Sequence, residues 1–134
     1  MVPDFGRALS EGVRLFNAES FFECHEVWED AWRPSRPPVR LFLQGLIHVA
    51  VSFHHERAGN PQGAARQMRK GLRKLAAYLP EHAGIDTWSL YRTCAARTPG
   101  EWFPRIESGS AACSTSTTGS SFAIPPARSK PCGG

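Results

Sequence analysis

From Leu41 to Phe53 the chain reads Leu-Phe-Leu-Gln-Gly-Leu-Ile-His-Val-Ala-Val-Ser-Phe, apolar nearly all round when wound at about 100° per residue. A helix of that kind has no face to give to water, so it must sit at the centre of the fold with other elements wrapped about it. No stretch of the chain alternates apolar and polar residues with period two over any length, so a sheet is not expected.

The flanking sequence supplies helices with clear punctuation. Asp4 can cap a first helix to about Asn17, whose Phe5, Leu9, Val13 and Phe16 recur at helical spacing. Ser20-x-x-Glu23 has the form of a capping box and opens a second helix, to about Trp32 or Arg33. Pro34, Pro37 and Pro38 bar helix through the linker. The central helix then starts near Pro38 or Val39 and runs to about Ala58, where Gly59 offers a left-handed stop. Asn60-Pro61 caps and opens a fourth helix carrying Ala64, Met68, Leu72, Leu75 and Leu79 on one side, ended by Pro80. Gly84-Ile85-Asp86 turns into a short last helix over about 87–96. Short connections favour antiparallel neighbours. The fold class expected is therefore all-α: a single antiparallel helical bundle of four main helices plus a short fifth, over residues 1–97.

The chain has 134 residues, room for one domain and hardly two. Residues 98–134 form a tail rich in Ser, Thr, Pro and Gly; it can bury little apolar surface against its chain entropy and is expected to be disordered. There is no run of about 18 apolar residues and no basic-then-apolar leader at Met1-Val2-Pro3-Asp4, so the expectation is a cytoplasmic protein without a membrane partner. Cys24, Cys94, Cys113 and Cys132 make no CxxC pair, which excludes a zinc ribbon or thioredoxin-type motif; they are expected to be free thiols. No Gly-rich phosphate loop and no Gly-x-Ser-x-Gly elbow is present.

Two constellations could carry chemistry. On the second helix, Phe21, Cys24, Trp28, Ala31 and Trp32 form the apolar face, and Phe22 is read as core with them. His25 borders that face, and Glu29 lies one turn on, close enough to pair with it. On the central helix Gln44, His48 and Ser52 recur every four residues as an uncharged polar stripe, with Gly45 beside it leaving room for another backbone. If the second and third helices pack antiparallel, the stripe could meet His25 and Glu29. His25, Glu29, Gln44 and His48 would then be a ligand-binding cluster. A divalent metal could be held by His25, Glu29 and His48, with Glu26 as candidate base acting on bound water. The competing reading is that the four groups only satisfy one another as a buried hydrogen-bond network. His-Glu-x-x-Glu departs from the zinc-hydrolase pattern at its last position, and the helical di-iron pattern is absent.

The second constellation is electrostatic. Residues 1–32 hold seven acidic and two basic side chains, whereas residues 33–74 hold nine basic and one acidic. Arg66, Arg69, Lys70, Arg73 and Lys74 make a basic face on the fourth helix that could contact phosphates or serve as a solvated surface. No aromatic or Asn/Gln reader is interleaved with these cations.

Three motifs occur in order. They are Phe16-Asn17-x-Glu-x-Phe21-Phe22-Glu23-x-His25-Glu26-x-x-Glu29-x-x-Trp32, Arg40-x-x-Leu43-Gln44-Gly45-Leu46-Ile47, and Arg57-x-Gly59-Asn60-x-x-Gly63-Ala64. Together they resemble the prokaryotic family known as domain of unknown function 309, over about residues 5–90. The resemblance implies a compact helical domain of cytoplasmic bacterial or archaeal proteins and implies no activity. Glu19 stands where that family commonly holds Gly, and Trp28 where Leu is common. The leading functional reading is a domain binding a small ligand at the interior cluster. The alternatives are a metal-dependent hydrolase using the same residues, and a nucleic-acid or protein adaptor working through the basic fourth helix. Self-association stays open beside all three.

Overall fold

The computed structural model describes residues 5–108. Five helices carry the fold: α1 (Phe5–Asn17), α2 (Phe21–Trp32), α3 (Val39–Arg57), α4 (Pro61–Leu75) and α5 (Thr87–Ala96). No strand occurs among the described residues, only isolated bridges at Ile85. The expected helical bundle is present, with α3 packed between α2 and α4 and α1 laid against α2. Partners run in opposite directions. Down α3 against α4 the pairs are Ser52 with Ala64, His48 with Gln67, and Gly45 with Gly71 and Leu75.

Sequence punctuation sets most helix ends. Asn60 accepts the Gly63 N–H at 3.0 Å with Pro61 opening α4, and Asp86 accepts the Ser89 N–H at 2.9 Å to open α5. The capping box at α2 is a correction. Ser20 occupies the N-cap position, but its hydroxyl makes no capping bond, and Glu23 is exposed. Ser20 instead closes α1: its N–H donates to Leu15 O and the Glu19 N–H to Phe16 O, both at 2.9 Å, with Glu19 left-handed at φ 64°. That is a Schellman stop, and it requires the backbone conformation that glycine adopts most cheaply. Here the Arg57 guanidinium clasps both the Glu19 carbonyl and its carboxylate. The expected cap Asp4 lies outside the described residues. α4 ends earlier than expected: the chain tightens into a 3₁₀ turn over Ala76–Tyr78, and Leu79 is extended ahead of Pro80, as the proline ring demands of its predecessor.

The core is aromatic. Trp28 is completely buried and donates from Nε1 to Leu9 O at 3.4 Å, filling the hollow that Gly12 leaves on α1. Phe16, Phe21 and Phe53 meet with ring centroids 5.3–5.9 Å apart. Each such pair adds about 0.5–1.5 kcal/mol beyond the area it buries. Phe22 is a correction: it is 46% exposed, because it points off the buried face.

Packing also continues past residue 97, where the bundle was expected to end. Phe103 closes on Phe21 and Phe53 at 4.9 and 5.1 Å, and Ile106 is buried. Asn17 holds Ile106 by both backbone groups, at 2.8 and 3.1 Å. Apolar content was too sparse here to signal docking; two side chains suffice because the bundle leaves a matching hollow. The remainder of the expected tail, 109–134, lies outside the described residues.

Candidate functional site

α3 presents its polar stripe to α4, and this decides what the candidate residues can do. Gly45 and Gly71 face each other so closely that a Cβ on Gly71 would lie 3.0 Å from Gly45 O. The close approach foreseen at Gly45 is therefore with α4. Ser52 Oγ donates to Ala64 O at 2.7 Å, and His48 Nδ1 donates to Gln67 Oε1 at 2.7 Å. Gln44 lies partly buried one turn earlier on the same stripe. Burial pushes His48 below its ordinary value, the bond to Gln67 opposes this, and Lys74 and Lys70 push it down further.

His25 belongs to a separate pair. Its Nδ1 faces Phe22 O at 3.2 Å and its Nε2 faces Glu29 Oε2 at 3.3 Å. The i,i+4 pairing read from the sequence is thus present, and Glu29 also reaches Arg33 at 3.5 Å. The ring borders a shallow hollow of about 70 Å³ with Phe22, Val51 and His54. Glu26 is exposed. Among the described residues no three His, Cys, Asp or Glu side chains converge as metal ligands would. The physical reason is the rotation of α3: the glycine contact turns His48 toward α4, while Phe53 and His54 serve α2. His25 with Glu29, and His48 with Gln67, are two local pairs and not one cluster.

Cys24 and Cys94 are free and buried, which raises both thiols, Cys94 to about 12. Such thiols stay protonated and unreactive.

The basic face has a different character. Arg66, Arg69, Lys70 and Arg73 are all exposed, on the side of α4 opposite Ala64, Gly71 and Leu75. Four arginines elsewhere find carboxylates: Arg14 with Glu11, Arg33 with Asp30, Arg57 with Glu19 and Arg97 with Glu56, while Arg40 and Arg105 meet backbone carbonyls. Among the described residues no ion pair reaches Arg66, Arg69, Lys70 or Arg73, and α4 contains no acidic residue.

One edge of this face borders a cleft of about 280 Å³ between α3, α4 and α5, whose wall includes Arg69, Met68, Cys94 and Arg97. Arg97 is the group sequence reasoning missed. Its guanidinium is 6% exposed and meets Glu56 through two bonds of 2.8 and 2.9 Å. It also lies over the Phe53 and Phe103 rings at 4.9 and 4.7 Å. The Arg97 hydrogen bond, helped by the Gly100 N–H, holds the Glu56 carboxyl below its ordinary value against the opposing effect of burial. Only the distance in sequence, 41 residues, hid the pair.

Residues 9–67 match the family model described as domain of unknown function (DUF309). The resemblance read from the three motifs therefore holds over that stretch. The chain is 34% identical over 79 residues to the uncharacterised protein YpuF of Bacillus subtilis (strain 168), covering 58% of this chain and 44% of that protein. It is 28% identical over 79 residues to an uncharacterised protein of Aquifex aeolicus (strain VF5), covering 58% of this chain and 24% of the relative. The chain thus spans less than half the length of these curated relatives.

Proposed function

We propose, taking the match of residues 9–67 to domain of unknown function 309 as the premise, that this domain is an adaptor that binds a nucleic-acid backbone through the outer face of α4. The observation that carries the reading is the set of exposed cations Arg66, Arg69, Lys70 and Arg73, clustered on one face of a helix without acidic residues and met by no carboxylate among the described residues. Clustered like charges repel, and a protein holding them together without counter-charge leaves them available to an anionic partner. Phosphates spaced along a polymer suit cations spread over two helical turns. The interior-ligand and hydrolase readings would need His25, Glu29, Gln44 and His48 in one pocket, and the two pairs face different neighbours.

The test is fluorescence anisotropy of a labelled oligonucleotide against salt. With about three or four phosphates neutralised, log K should fall against log salt with a slope of about −3. Changing Arg66, Arg69 and Arg73 together to Gln should reduce that slope by about two to three and leave the helical circular dichroism unchanged. A slope near zero, or an unaffected triple variant, would refute the reading.

A further inference from the structure

α4 meets its surroundings along two different edges. One borders the cleft through Ala64, Ala65, Met68, Arg69 and Leu72. The other carries Gln67, Lys70 and Lys74, which fall within about 60° of one another when the helix is wound at about 100° per residue. This second edge lies along the α3 stripe. His48 Nδ1 donates to Gln67 Oε1 at 2.7 Å, and a Cβ on Gly71 would lie 3.1 Å from His48 Cβ. A Cβ on Gly45 would lie 3.3 Å from Lys74 Cβ, so the stem of Lys74 rests on α3 and the residue is half-buried. Among the described residues no ion pair reaches Lys70 or Lys74.

His48 sits in the middle of this seam. With the Nδ1 hydrogen given to Gln67, the neutral ring keeps its lone pair on Nε2. That atom has no hydrogen-bond partner among the described residues, yet it is not sealed off. Among those residues the Trp32 indole nitrogen is the only buried side-chain nitrogen or oxygen without a partner. Nε2 of His48 is therefore open to solvent. The charges acting on the ring are two cations, Lys74 and Lys70, which add to burial in disfavouring the imidazolium. The titratable groups of α2 are engaged or turned outward: His25 pairs with Glu29, Asp30 with Arg33, and Glu23 and Glu26 are exposed. On α3 itself Glu56 is held by Arg97 and Arg57 by Glu19, His54 lies beside Phe22, and His55 is two turns away. An anion placed here would offset the repulsion between the lysines and let Nε2 take a proton.

We infer that the α3–α4 seam holds one phosphate of a nucleic-acid backbone, with Lys70 and Lys74 supplying charge and His48 donating to it from a protonated Nε2; this rests on the reading of α4 given above. The proton comes from solvent and stays on the imidazole, so binding takes up one proton and breaks no bond. Lys70 joins the two regions. In projection down the helix it lies between Arg66 and Arg73 on the outer face and Lys74 on the seam. A row of phosphates crossing the outer face meets Lys70 and then the seam. A phosphodiester keeps its charge across the range in which imidazole titrates, so a change in affinity there reports the protein. Phosphate favours the charged ring, so His48 titrates higher in the complex than in the free protein. Binding therefore tightens as pH falls through the value in the complex, and levels off below the value in the free protein.

The experiment follows a labelled thymidine oligomer of about twelve nucleotides by anisotropy from about pH 8 to about pH 5.5 at fixed salt, together with an NMR titration of the His48 imidazole with and without the oligomer. The expected result is an affinity that rises about tenfold toward acid, with the His48 midpoint about one pH unit higher in the complex. The His25 signal should not respond to the oligomer. His48→Gln, which can still bond Gln67, should flatten the pH response. Lys70→Gln with Lys74→Gln should raise the His48 midpoint in the free protein and shrink the response. A His48 midpoint that does not move in a complex with the expected salt slope overturns this inference and leaves the α4 reading standing. A midpoint raised by millimolar inorganic phosphate, with the oligomer unbound, overturns both in favour of a small phosphate ligand. Failure to bind either at low salt also overturns both. The NMR titration uses the wild-type protein, so the inference stays refutable if His48→Gln fails to fold.

Discussion

Replacing Arg97 by Ala would remove the group on which the docking of residues 98–106 depends. Arg97 is 6% exposed and its partner Glu56 15%, and the two are joined by a bidentate contact. The substitution leaves the carboxylate with the Gly100 N–H at 2.9 Å, strips Glu101 O and Trp102 O of their donors, and takes a cation from between Phe53 and Phe103. Removing one partner of a buried pair costs about 3–5 kcal/mol. Glu56 retains some access to water, so about 3 kcal/mol is expected. At about 4–8 °C per kcal/mol for a domain of this size, the thermal midpoint should fall by roughly 15 °C. Circular dichroism at varied temperature and urea denaturation would measure it. Adding Glu56→Gln should recover part of the loss, because an unpaired amide is cheaper to bury than an unpaired carboxylate, giving a coupling of at least about 1 kcal/mol. The pair also sets an acid response. Glu56 is held below its ordinary 4.5, so the unfolded chain takes up the proton first. The stabilisation is present above about pH 4.5 and is lost as pH falls through the depressed native value. Arg97→Ala should lose less stability over that acid window than the wild type. A midpoint shift under about 3 °C would refute the reasoning, since 98–106 would then not be docked in solution.

Other substitutions test the remaining local arguments. Gly12→Ala would place a Cβ 1.9 Å from Trp28 Nε1, so the buried indole must move; a loss of about 3 kcal/mol or more in urea denaturation is expected. Asn60→Ala should cost about 1 kcal/mol through loss of the bond from the Gly63 N–H, whereas Ser20→Ala should change stability by under about 0.5 kcal/mol; equal effects would mean that the two caps are alike. Glu19→Ala should destabilise by about 1 kcal/mol, keeping the left-handed strain and losing the exposed pair with Arg57, while Glu19→Gly should match or exceed wild-type stability, read from thermal midpoints.

The helices of this protein were legible without its structure because their causes are local. Asn60, Pro61 and Asp86 act on backbone groups within three residues, and the apolar run Leu41–Phe53 can satisfy itself only at the centre of a bundle. The basic character of α4 was equally plain, since charge is a property of composition. The His25–Glu29 pairing was legible for the same reason, the two residues lying one turn apart. What stayed hidden was every feature set by how one helix is rotated against another. Periodicity marked Gln44, His48 and Ser52 as one stripe but carried no information about which neighbour it would face. The Gly45–Gly71 contact, between residues on different helices, gave His48 to Gln67 and left His25 elsewhere. Likewise Arg97, Glu56, Phe103 and Trp102 read singly as ordinary residues at the edge of a polar tail. Only folding brings them together, because burial and pairing belong to the space between segments and not to the order of residues along the chain.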